Sequence, residues 1–244
     1  MTSPPTAGKK RRRALVTGGA VRVGHAIAVA LAGMGMDVAI GYHRSAAEAA
    51  RTVRAIEAHG VRGVAIRANL ADPAGGRALV DRAARALGGL DVLVNSAAVF
   101  IRTPLRTTTI EQWDHLIDLN LRGAFVCAQA AARVMRRGGC IVNIGDAGAD
   151  RAWPGYIPYT VSKAGIAALT RGLAAALRPA GIAVNCVAPG VVLRPPGFSL
   201  ARWKKLTGAF PPTLDDVAAA VVYFASSPSG VTGQVLDVDG GRPG

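Results

Sequence analysis

The chain has 244 residues, a net charge of +14 from 29 Lys and Arg against 15 Asp and Glu, and hydrophobic side chains at half its positions. No run of eighteen apolar residues occurs, so no membrane-spanning helix is expected. Three cysteines, at 127, 140 and 186, have neither metal-ligand spacing nor the even count of a disulfide framework. That usage suits a reducing, cytoplasmic setting without a bound metal.

Pro4, Pro5 and Gly8 precede the basic run Lys9-Lys10-Arg11-Arg12-Arg13. No apolar segment long enough for an export signal follows, so residues 1–12 read as a disordered, solvated tail rather than a leader or a nucleic-acid arm. The rest of the chain is still basic, which suits anionic small molecules.

From Arg13 the pattern alternates. Strands are predicted near 13–17, 37–42, 62–67, 91–95, 139–145, 182–188 and 234–238. Helices are predicted near 23–34, 46–59, 73–87, 110–136, 158–178 and 213–227. Val38-Ala39-Ile40 and Val92-Leu93-Val94 are continuous apolar runs of the kind found in strands buried on both faces. Seven such strands with helical crossovers predict one α/β domain, residues 13–244, with a doubly wound parallel sheet and helices on both faces. The irregular stretch 190–212 reads as a substrate-covering loop with a short helix near 200–206. Phe198, Trp203 and Phe210 would either cover the substrate or cap the core.

The first strand ends in Thr17-Gly18-Gly19-Ala20-Val21-Arg22-Val23-Gly24, and an alanine-rich amphipathic helix follows. A strand, a glycine turn and a helix N-terminus in that order can place backbone N–H groups around a pyrophosphate. Farther on, Tyr159 and Lys163 share one helix face, with Asp146 thirteen positions before the tyrosine. The Lys163 charge is expected to lower the Tyr159 pKa, so that the phenol can pass a proton as a hydride arrives.

Thr17-Gly18 with Gly24, Asn95-Ser96-Ala97-Ala98, Asn120, Tyr159 with Lys163, Pro189-Gly190 and Val238-Asp239-Gly240-Gly241 together resemble the short-chain dehydrogenases/reductases over about Arg13 to Gly241. That resemblance implies a Rossmann fold, an oxidoreductase and a homotetramer built on the helices near 110–136 and 158–178. Ala128, Ala131, Ala132, Ala167, Ala168 and Ala174 would allow close packing there, or would face the sheet.

Two positions depart from the common family pattern: Arg22 stands where glycine is usual, and Asp146 where serine is usual. With Tyr42-His43-Arg44-Ser45 and Phe100, they resemble the pteridine reductases. The carbonyl reductases of 3-oxoacyl or polyketide type are the alternative within the family. A non-catalytic NADPH-binding protein is the alternative outside it.

By the same resemblance, Gly18, Arg22, Val23 and Gly24 would hold the cofactor pyrophosphate. Asn69 and Leu70 would meet the adenine, and Asn95, Ser96 and Ala97 would line the cofactor below the nicotinamide. Pro189, Gly190 and Val191 would flank the carboxamide. His43-Arg44-Ser45 takes the place of the carboxylate that accepts from an NAD ribose, and a guanidinium with a hydroxyl suits a 2′-phosphate, so NADPH is expected. Tyr159 would donate the proton, Lys163 would hold the nicotinamide ribose, and Asn120 would hold a water that relays protons to Lys163. On its residues alone, Asn120 reads first as a helix-bending polar side chain packed against a neighbour. Arg22, Phe100, Asp146 and Tyr159 would contact the substrate, because an ionised Asp146 accepts but cannot donate a hydrogen bond and so suits a flat N-heterocycle such as a pterin.

Overall fold

The computed structural model describes residues 11–194, 199–207, 211–226 and 230–241. Most of the predicted tail, and Phe198 and Phe210 of the predicted loop, lie outside the described residues. Arg12 is already tied down: its guanidinium donates to the carbonyls of Ala225, Asp91 and Gly138. Arg13 grips Asp91 in a forked pair, with Nε to Oδ2 at 2.7 Å and Nη2 to Oδ1 at 2.9 Å. That grip fixes where β1 begins.

The apolar runs form strands that alternate between two cores. Ala14 and Val16 of β1 (Arg13–Thr17) pack into one hydrophobic layer and Leu15 into the other. The remaining strands are β2 (Asp37–Tyr42), β3 (Gly63–Arg67), β4 (Leu90–Asn95), β5 (Met135–Ile144), β6 (Ala183–Pro189) and β7 (Val235–Val238). They make one sheet in the order β3-β2-β1-β4-β5-β6-β7, and every pairing is parallel. The order reverses between β1 and β4, and ligands of such sheets bind in the crevice beyond the strand ends at that point.

Helices α1 (Arg22–Gly33), α2 (Ala46–Glu57), α3 (Pro73–Leu87), α4 (Ile110–Ile117), α5 (Gly123–Val134), α6 (Ile157–Leu177), α7 (Leu200–Thr207) and α8 (Leu214–Ser226) complete the described fold. The start of α3 follows from Asp72, which accepts from the Ala74 N–H, and from Pro73 in the first turn. At α4, Thr109 and Gln112 close a capping box. The α7 helix matches the short helix expected near 200–206. No described helix is long and apolar enough to cross a membrane.

One expected element is divided. The helix predicted over 110–136 is α4, a π-helical turn over Asp118–Arg122, and α5. The turn holds Asn120, and its wider ring is a common device for aiming a side chain that a regular helix would place elsewhere. The helix also stops at Val134, because Met135 pairs with Leu90 at the edge of β4. Of the alanines named for helix–helix packing, Ala128, Ala131 and Ala174 face the sheet core instead.

Candidate active site

The crevice is shaped first by backbone contacts that leave no room for a side chain. Thr17, the last residue of β1, accepts through Oγ1 from the N–H groups of Ser96 (3.0 Å) and Ala97 (3.1 Å). This ties the end of β4 to the glycine turn. Gly18 has φ +64°, and a Cβ there would lie 2.8 Å from the Ala97 Cα. A Cβ on Gly24 would strike the Gly18 carbonyl. Val21 precedes α1 without a side-chain cap, so the first N–H groups of that helix have no side-chain acceptor. Two obligatory glycines and an uncapped helix start fit a pyrophosphate. Arg22 heads α1 with φ +54°, the one non-glycine residue with positive φ among the described residues. Val23 lines the same cavity as Arg22.

At the far end, His43 and Arg44 are exposed just past β2, and Ser45 leads into α2 without a side-chain capping bond. Asp37 lies at the opposite end of β2, where its Oδ1 accepts from the Arg62 N–H at 2.9 Å. It is therefore out of reach of a ribose at the β2 terminus. Asn69 is exposed, but its amide oxygen already accepts from the Ala71 N–H at 3.2 Å. One of the two lone pairs expected to serve an adenine is thus used locally. Leu70 is buried beside it.

Two polar residues do something other than expected. Asn95 is turned inward and 6 % exposed: its Nδ2 donates to the Ala124 carbonyl (3.2 Å) and to Asn143 Oδ1 (2.9 Å). Its side chain therefore ties β4 to β5 and α5 instead of lining a cofactor, and the neighbouring Ser96 and Ala97 present backbone there. Asn120 accepts from the Val99 N–H (2.9 Å) and donates to the Val99 carbonyl (3.0 Å) and Ser162 Oγ (3.2 Å). These three bonds clamp the segment that carries Phe100. The side-chain bonds of Asn120 thus run to Val99 and Ser162.

The reacting end is compact. Tyr159 Oη donates to Asp146 Oδ2 at 2.6 Å, and Asp146 Oδ1 accepts from the Gly148 N–H at 2.8 Å. The side chain at 146 thus faces the phenol, as the motif implied. Lys163 Nζ donates to the Ile144 carbonyl at 2.8 Å, behind the phenol. Burial lowers the Lys163 pKa, and the Asp146 and Cys186 charges oppose that shift.

The expected lowering of the Tyr159 pKa is reversed. Burial, then the charge of Asp146 and the hydrogen bond to it, hold the phenol well above its ordinary value. Lys163 directs one of its N–H groups to the Ile144 carbonyl, and Asp146 is the charge in contact with the phenol.

A cavity of about 620 Å³ opens over this group. Phe100 stacks on Tyr156 (4.5 Å between centroids, 7° between planes) and meets Tyr159 edge-on at 4.7 Å. Trp153 stands edge-on to both Phe100 and Tyr156. Gly190 and Val191 also line the cavity, just past Pro189, the buried last residue of β6. A Cβ on Gly190 would press on Asp239 at 2.9 Å. The sequence reading missed Trp153 and Tyr156, although Trp153-Pro154-Gly155-Tyr156 is a dense aromatic turn immediately before α6.

Residues 19–242 match the family model described as Enoyl-(Acyl carrier protein) reductase. A 3-oxoacyl-(acyl-carrier-protein) reductase FabG of Staphylococcus aureus (strain N315) is 36% identical, over 96% of this chain and 98% of the relative. The chain is a short-chain dehydrogenase/reductase. Other members agree. A 3beta-hydroxysteroid dehydrogenase 1 of Eggerthella lenta is 34% identical over 95% of this chain and 94% of its own.

The crystal structure of a short chain dehydrogenase from Burkholderia cenocepacia J2315 in complex with NADP superposes with a TM-score of 0.89. It shows 41% identity and covers 94% of this chain and 97% of its own. A blue fluorescent protein from a metagenomic library, in complex with NADPH, gives a TM-score of 0.88 at 37% identity, covering 94% and 97%. The chain is thus an oxidoreductase of this family with its expected fold. None of these four relatives is named for a pterin, so the finer likeness to pteridine reductases rests on the sequence motifs alone.

Proposed function

We propose that this short-chain dehydrogenase/reductase uses NADPH to reduce a carbonyl group, with Tyr159 as the proton donor. The observation that supports it most is the state of that phenol. It lines the cavity with its hydroxyl donating to Asp146 at 2.6 Å, where it can give that proton to a developing alkoxide. The 3-oxoacyl reductase and the hydroxysteroid dehydrogenase, by their names, act at an oxo or hydroxy group. The NADP and NADPH complexes of two solved relatives accord with the cofactor inferred from Arg44 and Ser45.

NADPH, when bound, supplies the hydride. The protein's own part is positional and electrostatic. Gly18, Gly24 and the start of α1 receive the pyrophosphate, and Arg44 and Ser45 receive the 2′-phosphate. Lys163 keeps a charge behind the phenol that favours its anion once the proton has left. Phe100, Trp153 and Tyr156 give the substrate an aromatic wall.

A second reading is supported by one contact. Asp146 accepts from Tyr159 at 2.6 Å and, as a carboxylate, offers a substrate only acceptors. That suits a flat heterocycle presenting N–H donors, laid against Phe100.

Assaying NADPH oxidation with acetoacetyl-CoA, dihydrobiopterin and dihydrofolate in parallel separates the two readings. Turnover of the thioester is the expected result. Turnover of the dihydropterins alone would replace the carbonyl reading with the heterocyclic one, and turnover of none would remove both. Assembly as a homotetramer belongs to the same proposal: Trp113, Phe125 and Val161 leave apolar area exposed on α4, α5 and α6, and the particle mass in solution tests it.

A further inference from the structure

The cavity has a feature that the reduction step does not use. Arg102 and Arg151 line it together with Arg22, whereas Asp146 lies beside the reactive phenol. Among the described residues none of these three arginines forms an ion pair within 4 Å. Arg102 is exposed, and its Nε lies 3.7 Å from where a Gly155 Cβ would stand. Its stem therefore runs across the backbone of the aromatic turn. The two segments are also joined directly, since the Thr103 N–H donates to the Gly155 carbonyl at 2.7 Å. Arg102 is thus fixed to the same turn that carries Trp153 and Tyr156. Arg151 precedes that turn, and the nearby Asp237 feels its charge. Asp239 also lines the cavity.

We propose that Arg102, assisted by Arg151, binds an anionic group on the substrate remote from the reacting carbon, so that the protein selects substrates with an uncharged, flat or compact head and a carboxylate or phosphate tail. The inference rests on the proposed reductase reading and supplies its substrate class. The Asp146 carboxylate beside the reactive phenol repels an anion, and the exposed Arg102 guanidinium attracts it, so such a substrate enters in one orientation. Guanidinium groups bind carboxylate and phosphate in the same forked manner, so the two tails share one chemistry.

Matched pairs test this. Acetoacetyl-CoA against ethyl acetoacetate varies the phosphate tail, and dihydrofolate against dihydrobiopterin varies the carboxylate tail. Binding is read by quenching of tryptophan fluorescence in the NADP+ complex, because Trp153 lines the cavity. Reaction is read by NADPH oxidation. In the native protein the charged member of at least one pair should bind tenfold or more tightly than the neutral one. In R102Q/R151Q that ratio should fall to within about twofold, and R102K should recover part of it. Unaltered NADPH affinity shows that the double variant is folded.

Equal binding within both pairs, a ratio that survives the double substitution, or binding of no member at all would overturn the inference. A charge preference without any turnover would sink the reductase reading and leave this inference standing. Turnover without a charge preference would do the reverse.

Discussion

Replacing Asp146 with serine perturbs the contact on which the two substrate readings part. In the native protein the phenol proton of Tyr159 is held by a carboxylate at 2.6 Å. A ketone oxygen must take that proton, so the bond to Asp146 has to break on the way to the transition state. A hydrogen bond to a charged group contributes about 1.5–3 kcal/mol net, which corresponds to about 10- to 150-fold in rate. A serine hydroxyl removes the competition and can itself donate to the ketone oxygen. Turnover of acetoacetyl-CoA by D146S should therefore rise about tenfold or more. Turnover of a dihydropterin, which would rely on the carboxylate as acceptor, should fall by a similar factor.

The same substitution has a spectroscopic signature. Two of the three causes that raise the Tyr159 pKa come from Asp146. The tyrosinate absorbance assigned to Tyr159 by difference from Y159F should therefore appear at lower pH in D146S than in the native protein. The Gly148 N–H loses its 2.8 Å acceptor, so a small loss of thermal stability is also expected. Unchanged rates with both substrates together with an unshifted tyrosinate titration would refute the reasoning, because Asp146 would then have no hold on the reacting proton.

Arg22 sits at φ +54°, where a side chain costs about 1–2 kcal/mol relative to glycine. R22G should raise the melting temperature of the cofactor-free protein by about 2–8 °C while weakening NADPH binding, and an unaltered melting temperature would show that the turn carries no strain. R44A should cut the preference for NADPH over NADH by more than about tenfold, as loss of a charged pair to the 2′-phosphate requires; an unchanged ratio would move the phosphate site elsewhere. Burial pushes the Cys127 and Cys140 thiols up to about 12 and the Cys186 thiol to about 11, against an ordinary 9.0. The unfolded chain therefore releases these protons first, and stability present below pH 9 should be lost as pH rises toward 11–12, by about 1.4 kcal/mol per pH unit for each thiol. Urea melts at pH 8, 9.5 and 10.5 measure the trend, and a midpoint that does not fall contradicts it. The native protein should also leave all three thiols unreactive toward dithiobisnitrobenzoate.

The sequence alone determined the order and kind of the elements, because strands buried on both faces must be continuous apolar runs and the helices between them must show one apolar face. The spacing of four placed Tyr159 and Lys163 on one helix face, and the resemblance to the short-chain dehydrogenases/reductases joined them to the Gly18 turn and Asp146. The π-helical turn at Asp118–Arg122 was not legible, because a one-residue widening leaves no periodic trace in so short a stretch. The side-chain partners of Asn95 and Asn120 were likewise hidden: an amide reads the same in sequence whether it meets a cofactor, Asn143 or the Val99 backbone. The direction of the Tyr159 shift was decided only in three dimensions. Folding buried the phenol and put the Asp146 carboxylate in contact with it, while Lys163 points to the Ile144 carbonyl. Tertiary structure alone joined Phe100 and Arg102 to the Trp153–Tyr156 turn some fifty residues away, since charge and ring stacking act through space and leave no period in the chain.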